Sequence, residues 1–520
     1  MYLKVSKETI MTDWSEGYIS DVGYIYGYYS DLNPNNLLLP LLKRKIAMPK
    51  VKTACELGFG QGVSINVHAA ANKDIEWWGT DFNPSHVSFA QDLANQSKSE
   101  INIFDQKFED FCVRDDLPDF DFICLHGIWS WISESNRKIL VEFIRNKLKI
   151  GGVLYISYNT FPGWLSKAPL RHMLSEHADV MGARGESMAY KVEQAIEFTK
   201  DLINLSGHIN TEIFTLKDQL ERISKENSNY LAHEYFNLEW EPMYFSDIHK
   251  CLESAKINYI CSSNYIKDFL PGLFAEEQLA FWAEIEDSIF AQTVKDYLLN
   301  TQFRSDLWVK GPRSLSQLQV EKVWSDLQFI LVKELPSTLK IYSQILVTLN
   351  QDLYTSIASI FSDYKIHSFT ELCRRLPDVE FNNLSHVIVL MHASGLIALV
   401  QNSTSIEGSV SRTSDLNQYI MENSAISADI NFLASPVTGG AININQIQQI
   451  MILAYNNGYE NLGEIVDFTW KTLQKNNQLI IWEGKTLQGD AESLEQLSEW
   501  AESFVTITLP ILKSLQIVKE

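Results

Sequence analysis

Between residues 51 and 159 the hydrophobic positions switch repeatedly between a strand-like and a helix-like spacing. VKTACEL (51–57) is a short apolar run ending beside a carboxylate and a glycine-rich turn, and VSINVHAAAN after it has helical spacing. IEWWGTD (75–81) predicts a second strand and NPSHVSFAQDLANQS an amphipathic helix. INIF (101–104) and FDFICLHGI (120–128) predict a third and a fourth strand. RKILVEFIRNKLKIGG predicts a helix with a glycine stop, and VLYISYN (153–159) a fifth strand. Strands alternating with helices over about 110 residues predict an α/β fold with a parallel, doubly wound sheet.

From 166 to about 235 the spacing is helical, as in MAYKVEQAIEFTKDLINL and TLKDQLERI. YFSDIHKCLESAKINYICSS (244–263) predicts the final helix and strand of the same sheet, which makes 166–235 an insertion. The rest is mostly helical. FTELCRRLPDVEFNNLSHVIVLMHASGLIALV (369–400) predicts helix, turn, helix and short strand, a winged-helix pattern. The stretch 401–440 is rich in Ser, Thr, Asn and Gly and predicts loops.

Charge and cysteine usage narrow the picture. The six cysteines are scattered with no CxxC pair, which fits a reducing compartment and no zinc site. The start of the chain has no uninterrupted apolar run, and no stretch is long enough to span a membrane, so a cytoplasmic protein without membrane insertion is expected. Net charge is -22, and there is no basic run to neutralise phosphates, so no nucleic-acid partner is expected. An acidic surface suits basic partners such as lysine-bearing protein, although solubility accounts for it equally well.

The sharpest chemical signal is Glu56-Leu57-Gly58-Phe59-Gly60-Gln61-Gly62. A ligand packed against a strand-to-helix turn needs glycines, because a Cβ blocks close approach or the required backbone angles. Asp81 ends the next strand, where a carboxylate accepts hydrogen bonds from both hydroxyls of a ribose. A dinucleotide fingerprint requires glycine at 63, where Val63 stands. The GxGxG spacing, with Glu56 two residues before it, favours S-adenosylmethionine, which has no pyrophosphate and carries an ammonium that suits a nearby carboxylate.

This segment resembles motif I of the class I S-adenosylmethionine-dependent methyltransferases, whose sheet is Rossmann-like, and WGTDFNP resembles their second motif. LHGIWSW, SYNTFPGW and NYLAHEYFNLEWEPMYFSDI (229–248) resemble a narrower group, bacterial methyltransferases with a methyltransferase regulatory domain. Within it, the arrangement is similar to the rickettsial lysine methyltransferases of outer-membrane proteins. The resemblance spans roughly residues 20–310; beyond it the likeness is in length and helical, winged-helix character. It implies that Glu56, Gly58, Gly60 and Gly62 line the methionine moiety and that Asp81 holds the ribose. Phe82 would pack beside the adenine, and Phe108 would offer its amide to it with Glu109 adjacent. His126 and Gly127, ending strand four, lie where open α/β sheets bind ligands. The implied organisation is an N-terminal lid with the cofactor domain (1–165), a helical insertion suited to dimerisation (166–235), the end of the sheet with the regulatory segment (236–305) and a helical C-terminal region (306–520).

Methyl transfer to an activated methyl group asks chiefly for positioning, and a lysine nucleophile must also be neutral. Candidate walls for such an acceptor are Trp129, Trp131, Tyr158, Asn159 and Trp164, with His126 beside them; Tyr24, Tyr28 and Tyr29 are candidates for a lid over the cofactor. An NPPY-like tetrad of nucleic-base methyltransferases is not matched, since Asn159 follows strand five. His233-Glu234 opens like HExxH, but residue 237 is asparagine, and Arg171, His172 and His177 read as packing or capping residues, so no metal is expected. Three functions stay open: methylation of lysines on a bacterial outer-membrane or surface protein, small-molecule methylation, and cofactor binding without turnover by a regulator.

Overall fold

A computed structural model describes residues 18–519 apart from 20–22, 184, 206–210, 270–272, 343–345, 349–350, 483–484 and 488. The five predicted strands form as β1 (Thr53–Leu57), β2 (Glu76–Asp81), β3 (Ile101–Asp105), β4 (Phe120–Leu125) and β5 (Leu148–Asn159), all parallel. β1 and β4 are buried almost throughout, which is why they read as unbroken apolar runs rather than alternating ones. The helix before β5 starts at Glu134, capped by the Ser133 hydroxyl, and ends at Lys147. LKIGG therefore belongs to the strand and not to the helix.

Two more strands complete the sheet. β6 (Asn258–Ser262) is the strand expected from 244–263, and it follows the helix Phe245–Glu253. β7 (Phe303–Val309) went unread in the sequence, and it inserts antiparallel between β5 and β6, giving the order β3-β2-β1-β4-β5-β7-β6. The boundary expected at 305/306 falls inside this strand and moves beyond Val309. Its sequence, FRSDLWV, hides the strand because Arg304 and Asp306 occupy buried positions. Their charges are satisfied locally: the Arg304 guanidinium donates to both Asp296 oxygens at 2.9 and 3.0 Å and to Asp306 at 2.9 and 3.1 Å.

Among the described residues the insertion forms four helices, Ala168–Met181, Met188–Leu205, Thr211–Ile223 and Ser228–Tyr235, around their own apolar core of Leu170, Leu174, Val192, Ile203, Leu220 and Leu231. At the C-terminal end the helices Phe369–Arg375 and Phe381–Ala393 lead into the strand Ile397–Leu399. That strand joins Gln328–Leu331 and His367–Ser368 in a small antiparallel sheet, as the winged-helix reading expects. Residues 401–440 differ from the loops expected: Ser403–Ser424 is one long helix. Its small polar residues Ser405, Ser409, Thr413 and Asn417 recur every fourth position and are buried, forming a flat face that packs on the helices Val63–Ala71 and Pro84–Ser97. Among the described residues no helix is long and apolar enough to cross a membrane.

Candidate functional site

A cavity of about 1390 Å³, its open mouth included, lies at the carboxyl ends of β1, β2 and β4. Its floor is the turn after β1. Gly58 has φ +74°, and a Cβ there would come within 2.5 Å of Ile128 Cδ1, so only glycine lets the turn close against the β4 loop. A Cβ on Gly62 would meet Ala90 Cβ at 2.5 Å, so that glycine serves the packing of two helices and does not line the cavity. Asp81, at the end of β2, is held from several sides. It accepts from the amides of Gly60 (2.8 Å) and Asn83 (3.0 Å), and His86 Nδ1 lies 3.2 Å from it. Asn83 then caps the next helix, with Pro84 in the first turn.

Glu56 is buried, and its Oε2 has no hydrogen-bond partner among the described residues. Burial, and then the nearby Asp81, push its carboxyl up to about 8. A buried carboxyl without a counter-charge is costly unless a cation fills the space beside it. The residues present thus fit the ammonium end of S-adenosylmethionine at Glu56 and a ribose at Asp81, with Phe82, Lys107 and Phe108 on the outer wall.

Beyond the β4 end the wall is His126, Gly127, Ile128 and Trp131. His126 Nδ1 lies 2.8 Å from the Tyr155 hydroxyl, and the Tyr29 ring packs on the imidazole with centroids 3.8 Å apart. Burial brings this histidine down to about 4, so it is neutral at physiological pH. The remaining wall comes from two distant parts of the chain. Tyr18, Tyr24 and Tyr29 approach from the N-terminal side, and His233, Glu234 and Asn237 from the end of the insertion. The Tyr18 ring contacts Phe82 and His233 at 5.6 and 5.5 Å, and Tyr24 meets His233 at 5.0 Å. Asn237 ties the two parts together by accepting from the Ile19 amide at 2.9 Å. Glu234 is raised to about 7 by burial, against the pull of Arg171 and Lys167.

Of the residues singled out in the sequence, Glu56, Gly58, Gly60, Asp81, Phe82, Phe108, His126, Gly127, Trp131, Tyr24 and Tyr29 line this cavity. Tyr28 does not. Its ring packs on His68 and Phe432, turned away from the cavity and into the C-terminal region, because neighbouring residues of one extended segment alternate in direction. Tyr158 is fully buried and donates to Asp306 at 2.7 Å, so it belongs to the ion network of β7. Asn159 is buried, has its backbone N–H bonded to the Ser130 hydroxyl and lies outside the lining. Glu109, Trp129 and Trp164 are likewise outside the lining. His233, Glu234 and Asn237 were missed, although HExxN stood in view: the asparagine that rules out a zinc helix is the residue that holds this wall. Among the described residues no cluster of metal-ligating side chains occurs.

Fold and site together define the class, a Rossmann-like methyltransferase sheet with an antiparallel seventh strand slotted before its edge. Residues 227–310 match the family described as "Predicted methyltransferase regulatory domain". The uncharacterized protein sll1526 of Synechocystis is 34% identical over 517 residues, covering 97% of this chain and 99% of that one. The uncharacterized protein RP789 of Rickettsia prowazekii is 25% identical over 287 residues, covering 54% of this chain and 50% of its own. In fold the chain is similar to PKMT2 from Rickettsia typhi in complex with AdoHcy, with a TM-score of 0.67 at 15% identity over 94% of this chain and 98% of that one. The chain belongs to one family with the Synechocystis protein sll1526, and it carries the segment described as a predicted methyltransferase regulatory domain.

Proposed function

We propose that the protein transfers the methyl group of S-adenosylmethionine to lysine side chains of a bacterial protein. The observation that carries this reading is the continuity of one cavity from the glycine turn, past neutral His126, to a wall of aromatic rings and a carboxyl. Bound S-adenosylmethionine supplies a methyl group already activated on a sulfonium. Glu56 neutralises its ammonium end, and Asp81, fixed by the Gly60 and Asn83 amides, accepts from the ribose hydroxyls. Phe82 and Phe108 shield the adenine side from water. Positioning of this kind supplies much of the acceleration in an in-line transfer. The aromatic far wall excludes water around an incoming amine, which favours its neutral, nucleophilic form. The resemblance to rickettsial lysine methyltransferases, and the likeness in fold to PKMT2, support a protein acceptor.

The test is a transfer assay with labelled S-adenosylmethionine and a lysate of the source organism, divided into protein and small-molecule fractions. Base-stable label on protein, recovered as methyl-lysine after hydrolysis, is the expected result. Label confined to the small-molecule fraction overturns the protein acceptor.

A further inference from the structure

We propose that Glu234, carried by the regulatory segment, is a catalytic residue that receives the acceptor's ammonium group and takes its proton before methyl transfer. The inference rests on the methyltransferase reading above but concerns a residue that neither the glycine turn nor the sheet supplies.

The geometry comes first. Glu234 sits in the last turn of the helix Ser228–Tyr235 and lines the cavity across from the glycine turn. It faces tyrosines of the N-terminal segment: Tyr18, Tyr24 and Tyr29 each feel its charge. Tyr29 feels Glu56 as well, and all three residues line the same cavity. Among the described residues four carboxyls line the cavity, Glu56, Asp81, Glu234 and Glu239; the first suits the cofactor's ammonium and the second its ribose, which leaves the Glu234 side with acid that the cofactor does not require.

The cations near Glu234 hold other partners, and the Arg171 Nε is buried without a hydrogen-bond partner among the described residues. Arg171 donates to the Asn237 carbonyl at 2.6 Å and lies over the Trp240 ring at 4.5 Å. Lys167 donates to Gln302 at 2.8 Å and lies over Trp164 at 5.1 Å. Among the described residues neither forms an ion pair with Glu234 within 4 Å. From its own helix Glu234 faces Tyr230 and Tyr235, which carry no positive charge. A carboxyl in aromatic surroundings, with neighbouring cations only at a distance, is an acceptor site for an incoming ammonium. With its carboxyl near neutrality by burial, it holds the proton it receives at working pH without becoming a poor base.

The step balances simply. One N–H bond of the acceptor ammonium breaks and an O–H bond forms on Glu234. The nitrogen lone pair so freed forms the N–C bond as the S–C bond returns its electrons to sulfur. The proton leaves Glu234 to solvent through the cavity mouth.

The test uses the full chain and two probes in which nitrogen replaces the sulfur of S-adenosylmethionine, one carrying a primary aminobutyl arm in place of the methyl and the other a butyl arm. Calorimetry at pH 8 should show the amine arm binding roughly 10- to 100-fold more tightly, as expected for a charge-assisted hydrogen bond in a desolvated site. In Glu234→Gln the two probes should bind within about threefold of each other, with S-adenosylhomocysteine affinity unchanged as the check on folding. For the wild-type protein alone, the preference should shrink as pH falls through about 7 and Glu234 protonates. Any titration at Glu56 affects both probes alike and cancels in the ratio. A preference that survives Glu234→Gln, or one absent from the wild type that still binds S-adenosylhomocysteine, overturns the proposal while leaving the cofactor reading intact. Failure of the wild type to bind S-adenosylhomocysteine overturns both.

Discussion

Glu56 is the residue whose isolation says most about what the cavity takes in. In the ligand-free protein its carboxyl titrates near 8, so at pH 7 it is largely neutral. An ammonium beside it restores the ionised form, and binding must then release a proton. Calorimetry with S-adenosylhomocysteine at pH 7, in buffers of different ionisation enthalpy, should show release of about one proton per ligand, and Glu56→Gln should abolish it. The sign for stability follows. A carboxyl raised in the folded state contributes fully below its unfolded value, and the contribution is lost as pH rises through about 8. The ligand-free protein should therefore lose stability across that window, and the ligand should restore it, as thermal melts at pH 5 and pH 8 will show. Tyr158 makes the opposite case. Its hydroxyl serves Asp306, so Tyr158→Phe should cost roughly 1 kcal/mol in denaturant melts and leave S-adenosylhomocysteine affinity and methyl transfer unchanged. Its place at the end of a strand suggested an acceptor wall, but that position alone does not say which face of the sheet a side chain takes.

At the scale of elements, apolar runs and glycine turns were legible because the central strands β1 and β4 are buried on both faces and the turn after β1 obeys local backbone rules. β7 and the helix Ser403–Ser424 were not. β7 carries charges inside, and their neutralisation depends on Asp296, a partner outside the strand that no local pattern displays. The helix Ser403–Ser424 carries polar residues on its buried face because it packs tightly against other helices rather than into an oily groove. Close approach needs small side chains, and serine and threonine meet that need while satisfying polar edges. Ser405, for example, donates to Asp74 at 2.6 Å, and Ser409 accepts from the Lys73 amide at 3.3 Å. Ser409→Leu should accordingly destabilise the protein by about 1–3 kcal/mol through overpacking, against near-neutrality for Ser409→Ala. Chemical denaturation of the two variants distinguishes a tight seam from a loose one.

For the whole molecule, the sequence suggested separable regions, and the structure joins them. Leu39, Val63, Val67, Ala70 and Leu93 of the N-terminal half share one core with Phe329, Leu390, Leu416 and Ile450 of the C-terminal half. Gln401 and Asn72 extend the joint with hydrogen bonds to Ala71 and Gly439 carbonyls at 2.8 and 2.6 Å. The two halves should melt in one calorimetric transition, and a chain ending at 311 should be insoluble or aggregated when its oligomeric state is measured by size exclusion. A soluble, monomeric truncated chain that binds S-adenosylhomocysteine would show that the shared core is dispensable.

β7 also fixes an order of events. Asn159 pairs with Phe303, so the chain leaves the sheet at one residue and returns beside it only after the whole stretch from 160 to 302 has been made. A nascent chain that has reached β6 still has an unpaired flank on β5, and closing so long a loop is slow because its entropy is lost before the new contacts form. Until β7 arrives that flank is open to the wrong neighbour. The bridge between Thr160 and Met243 makes the stretch 161–242 a cassette with adjacent ends, one that evolution can lengthen or exchange without redrawing the strands on either side. On the reading proposed above, a lineage can thus inherit the floor that would grip the methyl donor and renegotiate, separately, the wall that would meet the acceptor.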